Sequence, residues 1–401
     1  MTPEEFIEFN TIPETRVYEI RATKGFPITF FLEKTSEMEV CPRCAYKCYS
    51  GYDRRLVTIK DAPFRNGRVL LVVRKRRFWC PRCEKPFTEP LQGVGKGKRV
   101  TERLRKNLCV AAEKYAALED VRKDFGCSDW MVYSTFYEQL KRLKKQWTYP
   151  LPRAIGIDEH SFRRDKRTHE MAWNTIVVDH VGERVYDLIE GRRTEEILPT
   201  LKAMPGREGV EFVTIDLSEG YRSAVKEAFP QAQIVADRFH VLRCIDDRMK
   251  EELRRLPADI RKRDKAKERL LFRKLSALSS RSQESLTTWL LAYPALAQLH
   301  SAKQEMLRAL GRKGSPLKRR DVFSSLMDKM AKSTHAAVRS LRQTYFSWRN
   351  EIANAILTKW SNGRTEGFNC KAKLVKREGY GFRNWENFRL KFWYSCFGQY
   401  V

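Results

Sequence analysis

No apolar stretch in this 401-residue chain approaches the roughly 18 residues of a membrane-spanning helix. The longest in the first hundred positions is Val69–Val73. The start, Met1-Thr-Pro-Glu-Glu5, is acidic and lacks the basic and apolar regions of a secretion signal. Together these absences predict a cytoplasmic protein with no membrane partner. In that compartment ten cysteines do not form a disulfide framework. Acidic residues are in deficit: 50 Asp and Glu stand against 78 Lys and Arg, for a net charge of +28. A field of that sign attracts polyanions and gains from counterion release. No segment is patterned as a membrane-surface helix, so nucleic acid is favoured over anionic lipid. An apolar content of 42% argues against wholesale disorder, and the length calls for two or three folded units.

Five cysteines are scattered, at 109, 127, 244, 370 and 396, and read as small core residues. The other five gather at Cys41, Cys44, Cys48, Cys80 and Cys83. Cys-Pro-Arg-Cys occurs twice, at Cys41–Cys44 and Cys80–Cys83. Each tetrapeptide makes a tight turn that points two thiolates at one place. Two such turns give the tetrahedral sulfur set of a structural Zn²⁺. Cys48 is an alternative ligand. Strand-like runs at Arg55–Ile59 and Val69–Val73 supply the hairpin of a zinc ribbon within residues 1–92. Arg74-Lys-Arg-Arg77 is either a phosphate contact or a solvated charge run. A strand or two is expected before residue 40.

Gly93-Val-Gly-Lys-Gly-Lys98 fails the Walker spacing and reads as a basic linker. Residues 99–148 carry three helical patterns. Leu104, Leu108, Ala111 and Tyr115 share a face of the first, and Leu118–Phe125 is a short second closed by Gly126. Ser128 caps a third with Tyr133, Phe136, Leu140 and Leu143 inward. This is the helix-turn-helix layout, ending in the basic tail Lys141–Lys145.

Residues 153–240 alternate strands and helices in the order of an RNase-H-like α/β core. Strands are expected at Ala154–Ile157, Met171–Val178, Arg184–Ile189, Val210–Ile215 and Gln233–Ala236. Residues 241–355 lose the strand pattern; Arg248–Lys274 has twelve Lys or Arg against five Asp or Glu. This is an all-helical insertion, either a DNA cradle or a solvated bundle. Residues 356–401 return to the core with a helix from about Arg364 to Arg377 and a last aromatic helix.

Three acids punctuate this order. Asp158 and Asp216 each close a strand, 58 residues apart, and Glu366 lies just inside a helix. In the RNase-H-like order the first and fourth strands are neighbours, so the two aspartates would sit side by side. Carboxylates are hard ligands suited to Mg²⁺ or Mn²⁺, and a pair of such ions supports phosphodiester chemistry. Glu159 would face the other side of its strand and is not read as a ligand.

The repeated Cys-Pro-Arg-Cys, Ile155-Gly-Ile-Asp158-Glu-His160, Thr214-Ile-Asp216-Leu-Ser-Glu-Gly-Tyr221 and Ala236-Asp-Arg-Phe-His240-Val resemble DDE transposases of the ISL-three insertion-sequence group. Ser361-Asn-Gly-Arg-Thr-Glu366-Gly-Phe-Asn369 and Gly379-Tyr-Gly-Phe-Arg-Asn-Trp-Glu-Asn-Phe388 extend the resemblance from about residue 40 to the end. It implies a multidomain α+β protein with a Cys₄ zinc finger, a helix-turn-helix that reads terminal inverted repeats, and an RNase-H-like core. It assigns the triad roles to Asp158, Asp216 and Glu366, with two Mg²⁺ or Mn²⁺ ions. His240 would contact the scissile phosphate. Asn362 and Arg364 would touch the DNA backbone. The expected partners are transposon ends and target DNA, with the chain on the bacterial nucleoid when bound. Uniting two ends calls for at least a dimer on DNA. The rival readings are a DNA-binding regulator with an inactive nuclease fold, a structure-specific nuclease, and a zinc-stabilised architectural protein.

Overall fold

The computed structural model describes residues 12–49, 51–64, 67–115, 117–164 and 169–397; the acidic start Met1–Glu5 lies outside them. The architecture is mixed α and β. Two compact units are present, Met1–Gln146 with Lys376–Leu390 and Trp147–Val375 with Lys391–Val401. No helix among the described residues is long and apolar enough to cross a membrane.

The N-terminal unit is built on a sheet. Strands β1 (Thr15–Arg21), β2 (Ile28–Lys34), β3 (Glu39–Val40), β4 (Lys47–Cys48), β5 (Gly51–Phe64), β6 (Gly67–Cys80) and β7 (Lys85–Thr88) follow in order. The main sheet runs β1-β2-β6-β5, with β7 also on β6. The expected hairpin is there, but each arm is 14 residues long. Its charged ends, Asp53–Arg55 and Arg74–Arg77, hide strand in a run that reads as polar surface. Val69, Leu71 and Val73 alternate inward onto Leu32 and Ile59, as period-2 geometry requires. Three of the four cations at Arg74–Arg77 are tied up within the unit. Arg76 binds the fully buried Glu89, Arg77 binds Asp53, and Arg74 reaches Glu33.

Helices α1 (Glu102–Lys114), α2 (Leu118–Phe125) and α3 (Asp129–Gln146) follow in this unit, which also takes in Lys376–Leu390. Thr101 caps α1 by accepting from the Leu104 N–H at 3.2 Å. Gly126 ends α2 with φ of +59°, and a Cβ there would meet Arg68 at 2.6 Å. Two of the expected inward residues are not inward. Tyr115 lies past the end of α1, and Tyr133 is exposed while Val132 and Phe136 are buried. Cys370 is likewise exposed rather than core.

The second unit holds β8 (Ala154–Arg164), β9 (Met171–Asp179), β10 (Arg184–Glu190), β11 (Phe212–Ile215) and β12 (Gln233–Ala236) in the order β10-β9-β8-β11-β12. The first three are antiparallel neighbours; β11 lies parallel to both β8 and β12. Helices α4 (Thr194–Ala203) and α5 (Glu219–Ala228) belong to this sheet. Helix α6 (Arg238–Arg255) leaves β12 and opens a helical layer. That layer contains α7 (Ala258–Arg263), α8 (Lys265–Leu271), α9 (Ser280–Leu290), α10 (Pro294–Leu310), α11 (Pro316–Ala331), α12 (Ala336–Ser347) and α13 (Arg349–Leu357). One continuous apolar core runs from Ile155, Val213 and Val235 of the sheet into Leu299, Tyr345 and Ile352 of the layer. Arg238 clamps the returning helix by donating to the carbonyls of Ala355 at 2.7 Å and Thr358 at 3.0 Å. Helices α14 (Gly363–Glu378) and α15 (Trp385–Phe397) close the chain.

One expectation about β8 is corrected. The strand does not end at Asp158 but continues six residues to Arg164, paired with β9. Buried His160 and Phe162 carry the alternation on. Only the ladder to β11 stops early, at Gly156.

Candidate active site and metal centre

The parallel ladder pairs Ala154 with Phe212, Ile155 with Val213 and Gly156 with Thr214. The same offset places Asp158 opposite Asp216, one residue past the end of β11. Neighbouring strands lie about 4.8 Å apart. Side chains alternate, so Gly156 and Asp158 share a face with Thr214 and Asp216. The other face carries Ile155, Ile157, Val213 and Ile215 into the core. On the next strand Ile215 pairs with Ala236, which brings Asp237 beside Asp216. Three aspartates therefore stand at one edge of three adjacent strands.

Their surroundings differ. Asp158 Oδ1 accepts from the Glu159 N–H at 2.8 Å, and Oδ2 accepts from Asn369 Nδ2 at 3.0 Å. Asp216 Oδ1 is buried without a hydrogen-bond partner. Asp237 caps α6 through the Phe239 N–H at 3.2 Å and accepts from His240 Nδ1 at 2.7 Å. Burial pushes the Asp158 carboxyl up to about 7; its bond from the Glu159 N–H opposes this, and the Asp216 charge adds to it. Burial pushes Asp216 up to about 6 against the opposing charge of His240. The Asp237 hydrogen bond raises His240.

Asp216 Oδ1 is one of eleven buried polar atoms without a partner among the described residues, and it belongs to the carboxylate that the strand register sets opposite Asp158. A hard cation beside Asp216 and Asp158 would supply that contact and offset their mutual repulsion. The two aspartates therefore fit a divalent ion. Glu366 is exposed. Among the described residues its carboxylate does not form, with those of Asp158 and Asp216, a group lying within 4.8 Å.

What the structure does fix is the helix that carries Glu366. Asn362, just before α14, and Thr365, Glu366 and Asn369 within it have the spacing of one helical face. Asn362 Oδ1 accepts from Thr214 Oγ1 at 3.0 Å, and His180 Nε2 lies 2.8 Å from the same hydroxyl. Thr365 lies over Gly156, where a Cβ would come within 2.6 Å of its Oγ1. Asn369 holds Asp158 and also donates to the Glu159 carbonyl at 3.3 Å. Burial drives His180 down to about 4, so this clamp is neutral. Asn362, expected to touch DNA, is instead only 2% exposed and turned inward. Arg364 is drawn to the His180 carbonyl at 2.8 Å and to Glu183. Thr214, Thr365 and Asn369 lie inside the motifs quoted above but were given no role there, and His180 lies in none of them. The spacing of 362, 365, 366 and 369 was the signal that could have found the helix-borne part. Glu159 pairs with Arg192 at 2.9 Å.

The other donor set is the thiol cluster. Cys41, Cys44, Cys80 and Cys83 have all four sulfurs within 4.8 Å of one another. Cys44 and Cys80 are 3.5 Å apart, and Cys41 and Cys83 are 3.9 Å apart. A tetrahedral zinc with Zn–S of about 2.3 Å has S–S edges of about 3.8 Å. The four cysteines thus fit zinc. Backbone N–H groups of Arg43 and Cys44 pull Cys41 down to about 6, while Cys44 pushes Cys83 up to about 12. Cys48 is buried outside this group, its thiol 3.7 Å from the Tyr46 carbonyl.

A family model described as transposase, of the DDE ISL3 type, matches residues 155–392. The transposase for insertion sequence element IS1001 of Bordetella parapertussis is 25% identical over 376 residues, covering 92% of this chain and 91% of that protein.

Proposed function

The chain belongs to the ISL3 family of transposases, and from that premise we propose that it cuts the ends of an insertion sequence and joins them to target DNA at Asp158, Asp216 and Glu366. The observation that carries this reading is the pair of register-matched aspartates on one face, with a buried unpartnered oxygen on Asp216. Divalent cations, Mg²⁺ or Mn²⁺, would supply charge neutralisation at the phosphate and a more acidic attacking water. Asp158 and Asp216 would hold the ions from the sheet. Glu366 would complete the set from α14, which Asn362, Thr365 and Asn369 fasten to both strands. His240, oriented by Asp237, would donate a hydrogen bond to the scissile phosphate.

In the first step water attacks phosphorus and the P–O3′ bond breaks, leaving a 3′-hydroxyl. In the second that hydroxyl attacks a target phosphate in line, and the target's own 3′-oxygen leaves. No covalent bond to the protein forms.

The layout proposed is an RNase-H-like core in two parts, 153–240 and 356–401, interrupted by the helical insertion 241–355. The strand order β10-β9-β8-β11-β12 supports it. Residues 1–92 would be the zinc finger, with zinc on Cys41, Cys44, Cys80 and Cys83. Residues 99–148 would be a helix-turn-helix reading terminal inverted repeats. Exposed Trp130 and Tyr133 on α3 favour that helix for the major groove. Bringing two ends together calls for at least a dimer on DNA.

The test is incubation of end-bearing DNA with the protein and Mg²⁺, followed by separation of cleaved and joined products. Asp158→Asn and Asp216→Asn should lose both products and keep DNA binding. Cleavage that survives in either variant removes the triad. Cleavage without any joined product would instead favour a nuclease.

A further inference from the structure

The chain segments that carry and adjoin the four cysteines present four large aromatic side chains to solvent. Tyr46 is 45% exposed, Tyr49 69%, Tyr52 59% and Trp79 42%. Isolated exposed aromatics are ordinary, but Tyr52 and Trp79 meet as an exposed pair, and such a pair marks a contact surface. They are not needed for the packing beneath. Phe78 and Phe87 already fill that space as a stacked pair with centroids 5.8 Å apart. Strand alternation sends Phe78 and Cys80 inward and turns Trp79 out between them. Trp79 meets Tyr52 across the hairpin at 6.1 Å, and the Arg77 guanidinium lies 5.4 Å from the Tyr52 ring.

The surface is also strongly positive. Residues 41–55 and 77–85 hold seven Lys or Arg against two acids. One of those acids, Asp53, is bound to Arg77 at 2.9 Å and serves to aim it. Open rings among cations suit one polyanion best, a nucleic-acid strand whose bases are unpaired. Phosphates neutralise the cations, and base faces stack on the rings. Duplex DNA hides those faces inside its stack and would leave the rings without a partner.

We propose that this zinc-knuckle pole grips unpaired nucleotides, separately from any duplex reading by α1–α3. The proposal rests on the chain being a DNA-acting protein, but not on the carboxylate site. Such nucleotides arise wherever a strand is cut or a duplex end is opened.

Oligothymidine and a duplex of random sequence, each carrying a fluorophore, serve as probes for the full-length protein without divalent ions. The wild type should bind both. Tyr52→Ala combined with Trp79→Ala should weaken oligothymidine binding roughly 10- to 100-fold. Duplex binding should change less than about twofold. Tyr52→Phe with Trp79→Phe should restore most of the loss, because a ring is what the base needs. Zinc content and far-ultraviolet circular dichroism confirm that each variant is folded. The proposal is overturned by unchanged oligothymidine binding in the zinc-replete alanine variant. A parallel fall for both probes overturns it too, as does a variant whose only defect is self-association. None of these outcomes touches cleavage of element ends, which is assayed separately with Mg²⁺.

Discussion

The four sulfurs of the N-terminal unit stand within 4.8 Å of one another, whereas the three carboxylates of the sheet unit do not close to that distance. Charge explains the contrast. A thiol cluster without its ion can shed repulsion by protonation, and backbone N–H groups favour a thiolate at Cys41. Ionised carboxylates about 4 Å apart repel by about 4 kcal/mol per pair at the effective dielectric of a protein surface. The sheet unit therefore fixes Asp158 and Asp216 on its strands and leaves Glu366 in solvent on a clamped helix. One set is closed and suits a permanent structural ion. The other is open and suits ions that arrive with substrate.

The sharpest way to break this contrast is to remove the closed set. Cys80→Ser should abolish zinc binding and unfold the N-terminal unit, since structural zinc contributes about 10–16 kcal/mol in small zinc domains. Mass spectrometry of the intact protein and thermal melting read both effects. Zinc-free wild-type protein with an unchanged melt would end the distinction. Next in size, Asp216→Asn should reduce cleavage by roughly a thousandfold or more, the equivalent of several kcal/mol of lost ion stabilisation. Its melt should stay level or rise, because a desolvated charge is removed. A large fall in melting temperature would mean that this carboxylate is structural, like the cysteines.

Asn369→Ala sharpens the picture further. It removes the donor that orients Asp158, so Mn²⁺ affinity should fall about 10- to 100-fold by calorimetric titration while zinc content stays the same. Undiminished affinity would show that the clamp does not prepare the site. The smallest effect is the pH response. Both folded-state values, about 7 and about 6, lie above the ordinary Asp value of ~3.9. The folded metal-free protein thus keeps protons that the unfolded chain has lost. Its stability should fall as pH rises from about 4 to about 7 and level off above. Mg²⁺ should raise the melting temperature by a few degrees at pH 8 and hardly at all at pH 5. An equal gain at both would detach the ion from these aspartates.

The elements that position the site were legible where the pattern was local. The strands at Met171, Arg184 and Gln233 lie where alternation puts them. The extent of β8 was not, because Asp158 and Glu159 interrupt an apolar run that resumes at His160 and Phe162. The 14-residue arms of the N-terminal hairpin were masked by their charged tips. Least legible was the clamp. Gly156, Thr214 and Asn369 sit inside quoted motifs without an evident task and His180 sits in none, and only the fold brings together partners as many as 211 positions apart.

Helix α6 begins at the Asp237–His240 bond and ends 18 residues later inside the helical layer. Val241, Ile245, Met249 and Leu253 are buried along it, and Tyr345 donates to the Val241 carbonyl at 2.8 Å. A helix of that length is a rod of about 27 Å. Tilting it by about 5° around its far end would swing the imidazole by about 2 Å, and displacements of about 1 Å at a reacting centre cost roughly a hundredfold in rate. The position of the His240 imidazole is therefore set by the packing of the helical layer as well as by the edge of the sheet.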